Sequence, residues 1–153
     1  LRVEYYNEFS KVLLLQEKFE DAERILKDYA ARMPSEWGAH FPSLTLGHFY
    51  FTAKEYAKAL EQYEKARETG YEFVEVAPEY SRYLFAAEET GNYAKVIDMA
   101  KAYLAKHGPD ADTYFNLAVS YFHLEEKEKA REFFLKSVAL KPEYEEYRPF
   151  FIE

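Results

Sequence analysis

The sequence predicts an all-α fold built from four helical hairpins, and three observations support this prediction. Apolar residues recur at helical spacing over residues 112–142, on both sides of a polar break. A similar pattern recurs upstream, around Ala22, Ala59, Val96 and Ala130, which lie 37, 37 and 34 residues apart. The chain is also 19% aromatic and 31% charged, a composition that suits amphipathic helices with bulky inner faces.

The last hairpin shows the pattern most clearly, because its apolar residues fall at fixed offsets and a proline closes it. These positions are Tyr114, Leu117, Ala118 and Tyr121 before the break, and Ala130, Phe134, Ser137 and Pro142 after it. This arrangement resembles the tetratricopeptide repeat, a helix-turn-helix unit of about 34 residues. The resemblance extends over nearly the whole chain.

The resemblance implies a right-handed superhelical α-solenoid of four such hairpins, with eight helices and a C-terminal tail. In each hairpin, small residues such as Ala118 and Ala130 let two antiparallel helices approach, and large residues such as Tyr121 and Phe134 fill the surrounding space. One hairpin cannot bury its apolar face alone, so neighbours must stack. We expect one domain, 1–153, with repeat units at about 3–36, 41–73, 77–110 and 111–144, and a tail or partial cap at 145–153.

Breaking residues place the helices of the first two units. We expect helices at about 3–15, 19–32, 41–52 and 56–68, with Pro34 ending the second and Pro42 in the first turn of the third. Trp37 lies between these two prolines, where it either covers the joint between units or contacts a ligand. The apolar loop 70–78 either folds back on the helices or offers a short strand to a partner.

The third and fourth units complete the predicted fold. We expect helices at about 79–89 and 93–106, followed by two more that end near Leu140. The third unit departs most from the family pattern, since Ala87 and Ala100 stand where large aromatic residues are usual. The tail begins like another helix but meets Pro149, and it either packs on the last unit, continues into further sequence, or docks on a neighbouring molecule.

Composition excludes several classes of function. The 153 residues include no cysteine, so neither a disulfide framework nor a thiolate metal site is available. A net charge of −8 argues against nucleic acid and permits cationic partners. No apolar run approaches the roughly 18 residues that would span a bilayer, and no signal peptide is visible. The chain begins at Leu1 rather than Met, which favours a fragment or a processed product.

The resemblance also indicates where a partner would bind. In tetratricopeptide repeat proteins, the first helix of each unit lines a concave groove that holds a peptide. The residues at the corresponding positions form an apolar, aromatic set with a few polar groups, typical of a groove for an apolar peptide face. These candidates are Asn7, Lys11, Leu44, His48, Phe51, Arg82, Phe85, Phe115, Asn116, Val119, Phe122 and His123. Each of them could instead pack between neighbouring first helices.

Catalytic and cofactor functions have little support in the sequence. The four histidines form no pair at the i, i+4 spacing of metal ligands. Carboxylate pairs such as Glu88-Glu89 and Glu145-Glu146 are interpreted as solvated helix ends. The set of Lys, Asn and Arg side chains that forms a carboxylate clamp in some relatives is also absent, because Thr45 and Pro78 replace polar and cationic residues. We therefore predict no enzyme activity, no cofactor and no metal.

Three functional hypotheses remain open. The first is a scaffold that binds a protein or peptide partner in the aromatic groove. The second is self-assembly through the solenoid ends or the aromatic tail around Phe150, which would form a homo-oligomer. The third is an accessory domain of a larger enzyme or of a secretion or assembly protein. The sequence leaves the compartment open and favours the cytoplasm, without direct membrane insertion.

Overall fold

A computed structural model describes residues 12–13, 16, 18–32 and 40–152 of the chain. The chain divides into two compact units, Leu1–Val76 and Ala77–Glu153. Most of the predicted first helix lies outside the described residues, as do the candidates Asn7 and Lys11 and the residues Pro34 and Trp37.

The first unit contains three described α-helices: α1 (Phe19–Arg32), α2 (Phe41–Thr52) and α3 (Tyr56–Glu68). These bounds agree with the sequence prediction. Glu20 and Asp21 occupy the first turn of α1, where negative charge favours the positive end of the helix dipole. Pro42 lies in the first turn of α2, where a missing N–H costs nothing.

The helices α2 and α3 pack around a large buried ring. The side chain of Tyr63 is fully buried, and a Cβ atom at residue 47 would overlap its ring, so glycine is needed there. The ring of Phe73 lies 5.4 Å from that of Tyr63, between centroids, and is 1% exposed. Phe73 begins a short 3₁₀ turn, Phe73–Glu75. The apolar loop therefore folds back on the helices, as the first of its two predicted alternatives stated.

The second unit contains five α-helices and one 3₁₀ segment. These are α4 (Ala77–Glu89), α5 (Tyr93–His107), α6 (Ala111–His123), α7 (Lys127–Leu140), the 3₁₀ segment Pro142–Tyr147 and α8 (Arg148–Phe151). The predicted helix 79–89 begins two residues earlier than expected, because Pro78 is accommodated in the first turn of α4. The described residues of both units are otherwise helical or in turns, which confirms the predicted all-α class.

One turn geometry recurs along the chain. The same backbone hydrogen bond, in which residue i+5 donates to the carbonyl of residue i, closes the turns at 13–18, 50–55, 87–92 and 121–126. In three of these turns, the residue immediately before the N–H donor has a positive φ. The values are 60° at Lys54, 68° at Gly91 and 60° at Glu125. Such a residue ends the helix and aims the chain back along it. The spacing of these turns is the spacing of the sequence pattern.

The core of the second unit consists of the residues that define the repeat. Ala100, Leu117, Tyr121 and Ala130 form one buried cluster. Ala100 is fully buried although it replaces the usual large aromatic residue. The rings of Tyr114 and Phe133 pack against this cluster.

The tail packs on the last helix pair. Phe151 stacks on Phe134 at 4.7 Å between ring centroids, and Tyr144 stacks on Phe115 at 4.5 Å. Pro149 lies in the first turn of α8, so it starts this short helix instead of stopping one. Packing on the last unit was one of the three predicted placements of the tail.

Candidate binding cleft

An open cavity of about 310 Å³ lies between α4 and α6 in the second unit. We call it the α4–α6 cleft. Both helices are first helices of their pairs, the kind that the family resemblance assigns to partner binding. The cleft is lined by Ala77, Tyr80, Ser81, Leu84, Phe85, Glu88, Tyr103, Asp110, Asp112, Thr113 and Asn116. Its volume is at the lower end of the range for ligand pockets.

Aromatic rings form a wall of the cleft. Tyr80 of α4 and Tyr103 of α5 stack with ring centroids 4.4 Å apart. The Tyr80 hydroxyl lies 3.4 Å from the Thr113 hydroxyl of α6, which links the two first helices, and burial raises the pKa of Tyr80 to about 12. The ring of Phe85 is 42% exposed, so it presents apolar surface to the solvent.

The carboxylates of the cleft differ in how they are compensated. Asp110 is the N-cap of α6 and accepts a hydrogen bond of 2.7 Å from the backbone N–H of Thr113. Asp112 accepts hydrogen bonds from the Tyr144 hydroxyl and from the Lys141 ammonium at 2.9 Å, and these two groups lower its pKa. The Lys141 charge therefore neutralises Asp112, whereas Asp110 forms no ion pair with any cation in the described ranges.

Glu88 is the least compensated carboxylate of the cleft. Burial raises its pKa above the ordinary value, and the charge of Glu89 raises it further. No cation among the described residues pairs with it. The interpretation of Glu88-Glu89 as a solvated helix end is therefore wrong for Glu88, which is half-buried in the cleft.

The structure brings two of the predicted groove residues together in this cleft. Phe85 of α4 and Asn116 of α6 both line it. Arg82 lies one turn before Phe85, and its guanidinium pairs with Glu79 on the same helix at 3.4 Å. Arg82 is therefore a neighbour of the cleft and not part of its lining.

The other predicted residues of α6 contact the tail or α5, or are partly buried. Phe115 contacts the rings of Tyr144, Tyr147 and Phe151, and Phe122 lies 5.8 Å from Phe151 between centroids. His123 stacks on Tyr93 at 4.3 Å. Val119 is partly buried on the same helix. The tail thus shares the aromatic surface of α6 that the sequence assigned to a partner.

The predicted groove residues of the first unit that the structure describes lie on α2. The His48 ring packs edge-on against Tyr63, and the Phe51 ring packs against Tyr56 at 5.5 Å. Leu44 is partly buried on the same helix. Both ring contacts lie within the α2–α3 helix pair. A binding role for these three residues stays a prediction.

Sequence reasoning missed four lining residues of the cleft that carry polar groups. Tyr80, Glu88, Asp110 and Thr113 were not among the predicted site residues. One signal was available: an Asp immediately before an apolar helical pattern is an N-cap signature, and this places Asp110 at the start of a first helix. The burial of Glu88 has no sequence signal, because it depends on tertiary packing and not on the local pattern of residues.

Two further properties are relevant to function. The described part of the chain holds no group of histidine and acidic side chains that could bind a metal ion. Within the same described ranges, no helix has both the length and the apolar character needed to cross a bilayer.

These features define a helical-repeat protein, made of antiparallel helix pairs joined by one recurring turn. Comparison with known families agrees: residues 111–144 match the tetratricopeptide repeat model. This match confirms the resemblance predicted from the sequence over that segment. No protein of curated function matches the sequence.

Solved structures with a similar fold include three of MamA. A structure titled MamA 41-end from Desulfovibrio magneticus RS-1 is 23% identical, with a TM-score of 0.71 over 97% of this chain and 82% of that chain. A structure titled MamA RS-1 ArsTM double mutant is 22% identical, with a TM-score of 0.71 over 97% of this chain and 82% of that chain. MamA MSR-1 C2 is 14% identical, with a TM-score of 0.62 over 90% of this chain and 76% of that chain. At these identities, the similarity concerns the fold.

Proposed function

We propose that this chain is a protein-binding scaffold that holds a segment of a partner protein in the α4–α6 cleft. The observation that carries the proposal is an open cleft between two first helices, with the half-exposed Phe85 ring at its surface. The tetratricopeptide repeat match and the helical-repeat fold support an interaction role of this general kind. The broader groove along the other first helices stays a prediction.

The mechanism is preorganisation. Tyr80 and Tyr103 are stacked, Asp110 caps α6, and the buried cluster beneath α6 fixes that helix. A partner segment would therefore bind without an ordering cost in the receptor, which improves affinity for a given contact area. Such a site binds and orients a partner, and no chemical step is assigned to it.

The test compares two variants of similar exposure. Peptides are selected from a random displayed library on the intact chain, and their affinities for the Phe85→Ala and Leu135→Ala variants are measured by calorimetry. Leu135 is 41% exposed on α7 and does not line the cleft. We expect Phe85→Ala to weaken binding by about tenfold, as truncation of an aromatic anchor does, and Leu135→Ala to leave it unchanged. Equal affinities for both folded variants would refute the proposal.

A second candidate function is self-assembly through the C-terminal end. Phe150 is 66% exposed and Leu140 is 52% exposed, so this end presents apolar side chains to the solvent. The test is Phe150→Ser, because deleting the whole tail would also uncover Phe115 and Phe134. If the tail mediates association, the molar mass measured by light scattering rises with concentration for the intact chain but not for the variant. A monomeric intact chain at all concentrations would exclude this function.

A further inference from the structure

The α4–α6 cleft joins apolar surface to uncompensated negative charge. On the apolar side are Leu84, Phe85 and the stacked pair of Tyr80 and Tyr103. Among its described lining residues there is no lysine, arginine or histidine. An occupant with a long apolar stem and a positively charged end would match both properties.

The charges that surround the cleft leave two carboxylates for a ligand. Lys141 is committed to Asp112 at 2.9 Å, and Arg82 is committed to Glu79 at 3.4 Å. Asp110 and Glu88 have no ion pair with any described residue, and they lie on different helices that line the same cavity. A cation in the cleft would therefore find one such carboxylate in the last turn of α4, Glu88, and another at the start of α6, Asp110.

Glu88 shows why a cation is favoured over a neutral group. A half-buried carboxylate that lacks a partner pays a desolvation cost whenever it is ionised, and the neighbouring Glu89 adds repulsion. A cationic ligand would offset both the desolvation cost of Glu88 and the repulsion from Glu89. The rings of the wall add a second attraction, because lysine and arginine bind favourably over aromatic faces.

We propose that the α4–α6 cleft binds a lysine or arginine side chain of a partner segment, with its stem along Phe85 and Tyr80 and its charged end beside Glu88, while Asp110 adds attraction at longer range. This inference rests on the proposed function of the same cleft and specifies the partner's chemistry. A bare metal ion is a poor alternative, because the described residues present no metal-binding group. A net charge of −8 favours the approach of a basic segment over that of an acidic one.

The test uses four blocked pentapeptides that differ only at the central residue. The sequence is acetyl-Ala-Leu-Xaa-Leu-Ala-amide, where Xaa is arginine, lysine, citrulline or norleucine. Citrulline has the shape of arginine without its charge, and norleucine is the uncharged counterpart of lysine. Binding is followed by NMR through the backbone amides of residues 81–88 and 110–116. We expect the charged peptides to bind at least about fivefold more tightly than their neutral counterparts, with an advantage that salt reduces.

Three variants assign the effect to the cleft. Glu88→Gln removes the half-buried charge, and Glu89→Gln removes an adjacent charge that does not line the cavity. Asp110→Asn removes charge but keeps a good N-cap residue. We expect Glu88→Gln and Asp110→Asn each to reduce the preference for arginine over citrulline, and Glu89→Gln to reduce it less.

The outcomes separate this inference from the proposed function. Equal affinity for the arginine and citrulline peptides would overturn the inference and leave the cleft as an apolar site. If none of the pentapeptides shifts the cleft amides while library-selected peptides do, the inference is also overturned. If the selected peptides also leave those amides unchanged, the proposed function itself fails.

Discussion

At residue 47, the α2–α3 helix pair has no room for a methyl group. We predict that Gly47→Ala destabilises the chain by up to about 2 kcal/mol. Alanine gains about 1 kcal/mol over glycine in a helix interior, but overpacking a filled core costs about 1 to 3 kcal/mol. The overpacking term should dominate, because the Tyr63 ring is fully buried and held by Phe73. Urea unfolding followed by circular dichroism measures the difference.

A double-mutant cycle identifies the cause at residue 47. In a Tyr63→Leu background the ring is gone, so Gly47→Ala should become neutral or stabilising through its helix propensity alone. The same cost in both backgrounds would show that the Tyr63 ring is not responsible.

The titration of Glu88 makes the stability of the folded chain depend on pH. Its pKa in the folded chain is raised above 4.5 by burial and by Glu89, so the folded state holds more protons than the unfolded state between the two values. Stability is therefore lost as the pH rises through this interval. We predict that Glu88→Gln raises Tm at pH 7 and leaves it unchanged well below pH 4.5.

Glu89→Gln is the matched control for this prediction. It removes only the repulsion from the neighbouring carboxylate, the second cause of the raised Glu88 pKa, so its effect on Tm at pH 7 should be smaller. Calorimetry over a pH series measures both variants. An equal rise for the two would mean that general surface charge, and not the burial of Glu88, limits stability.

Glu88 and Gly47 mark the limit of sequence reasoning at this scale. Leu46, Gly47 and Tyr50 have the same spacing as Leu117, Ala118 and Tyr121, so the repeat pattern marks Gly47 as a small-residue position. The pattern around Glu88 resembled any polar helix end. Glu88 lines a cavity together with residues of α6, more than 20 residues along the chain, and local periodicity does not report such long-range proximity.

At the scale of elements, the ring of Phe151 holds the C-terminal tail against α6 and α7. Phe151 stacks on the buried Phe134 and also contacts Phe115 and Phe122. We predict that Phe151→Ala lowers the free energy of unfolding by about 2 kcal/mol, less than truncation of a fully buried phenylalanine because the residue is half-buried. Denaturant titration measures this loss.

The adjacent residue provides the control. Phe150 is 66% exposed, so Phe150→Ala should change stability by no more than about 0.5 kcal/mol. Both variants remove the same side chain from the same short helix. Similar losses for the two would contradict the packing of the tail described here.

Most helix bounds could be predicted from the sequence, but the placement of the tail could not, because it depends on contacts with distant parts of the chain. The ends of α2, α3 and α6 follow from prolines, N-caps and turns that act within a few residues. Pro149 is ambiguous in this respect, since a proline ends one helix but is also favoured in the first turn of another. Its role as the start of α8 depends on the aromatic surface that Phe151 meets on α6 and α7.

At the scale of the molecule, the division into two compact units predicts which helices a substitution destabilises. In helical-repeat proteins each repeat contacts only its neighbours, so stability is a sum of repeat and interface terms. Gly47 belongs to the unit Leu1–Val76, and Phe151 belongs to the unit Ala77–Glu153. A change at one of these positions should therefore act mainly on its own unit.

We predict that Gly47→Ala and Phe151→Ala produce opposite patterns of amide hydrogen exchange. Gly47→Ala should accelerate exchange in α2 and α3, and Phe151→Ala should accelerate it in α6 and α7, because local openings follow the stability of each cooperative segment. Mass spectrometry of peptic fragments under native conditions resolves these helices. If either variant accelerates exchange equally in all four helices, the chain opens as one cooperative body, and the additive description of its repeats does not hold.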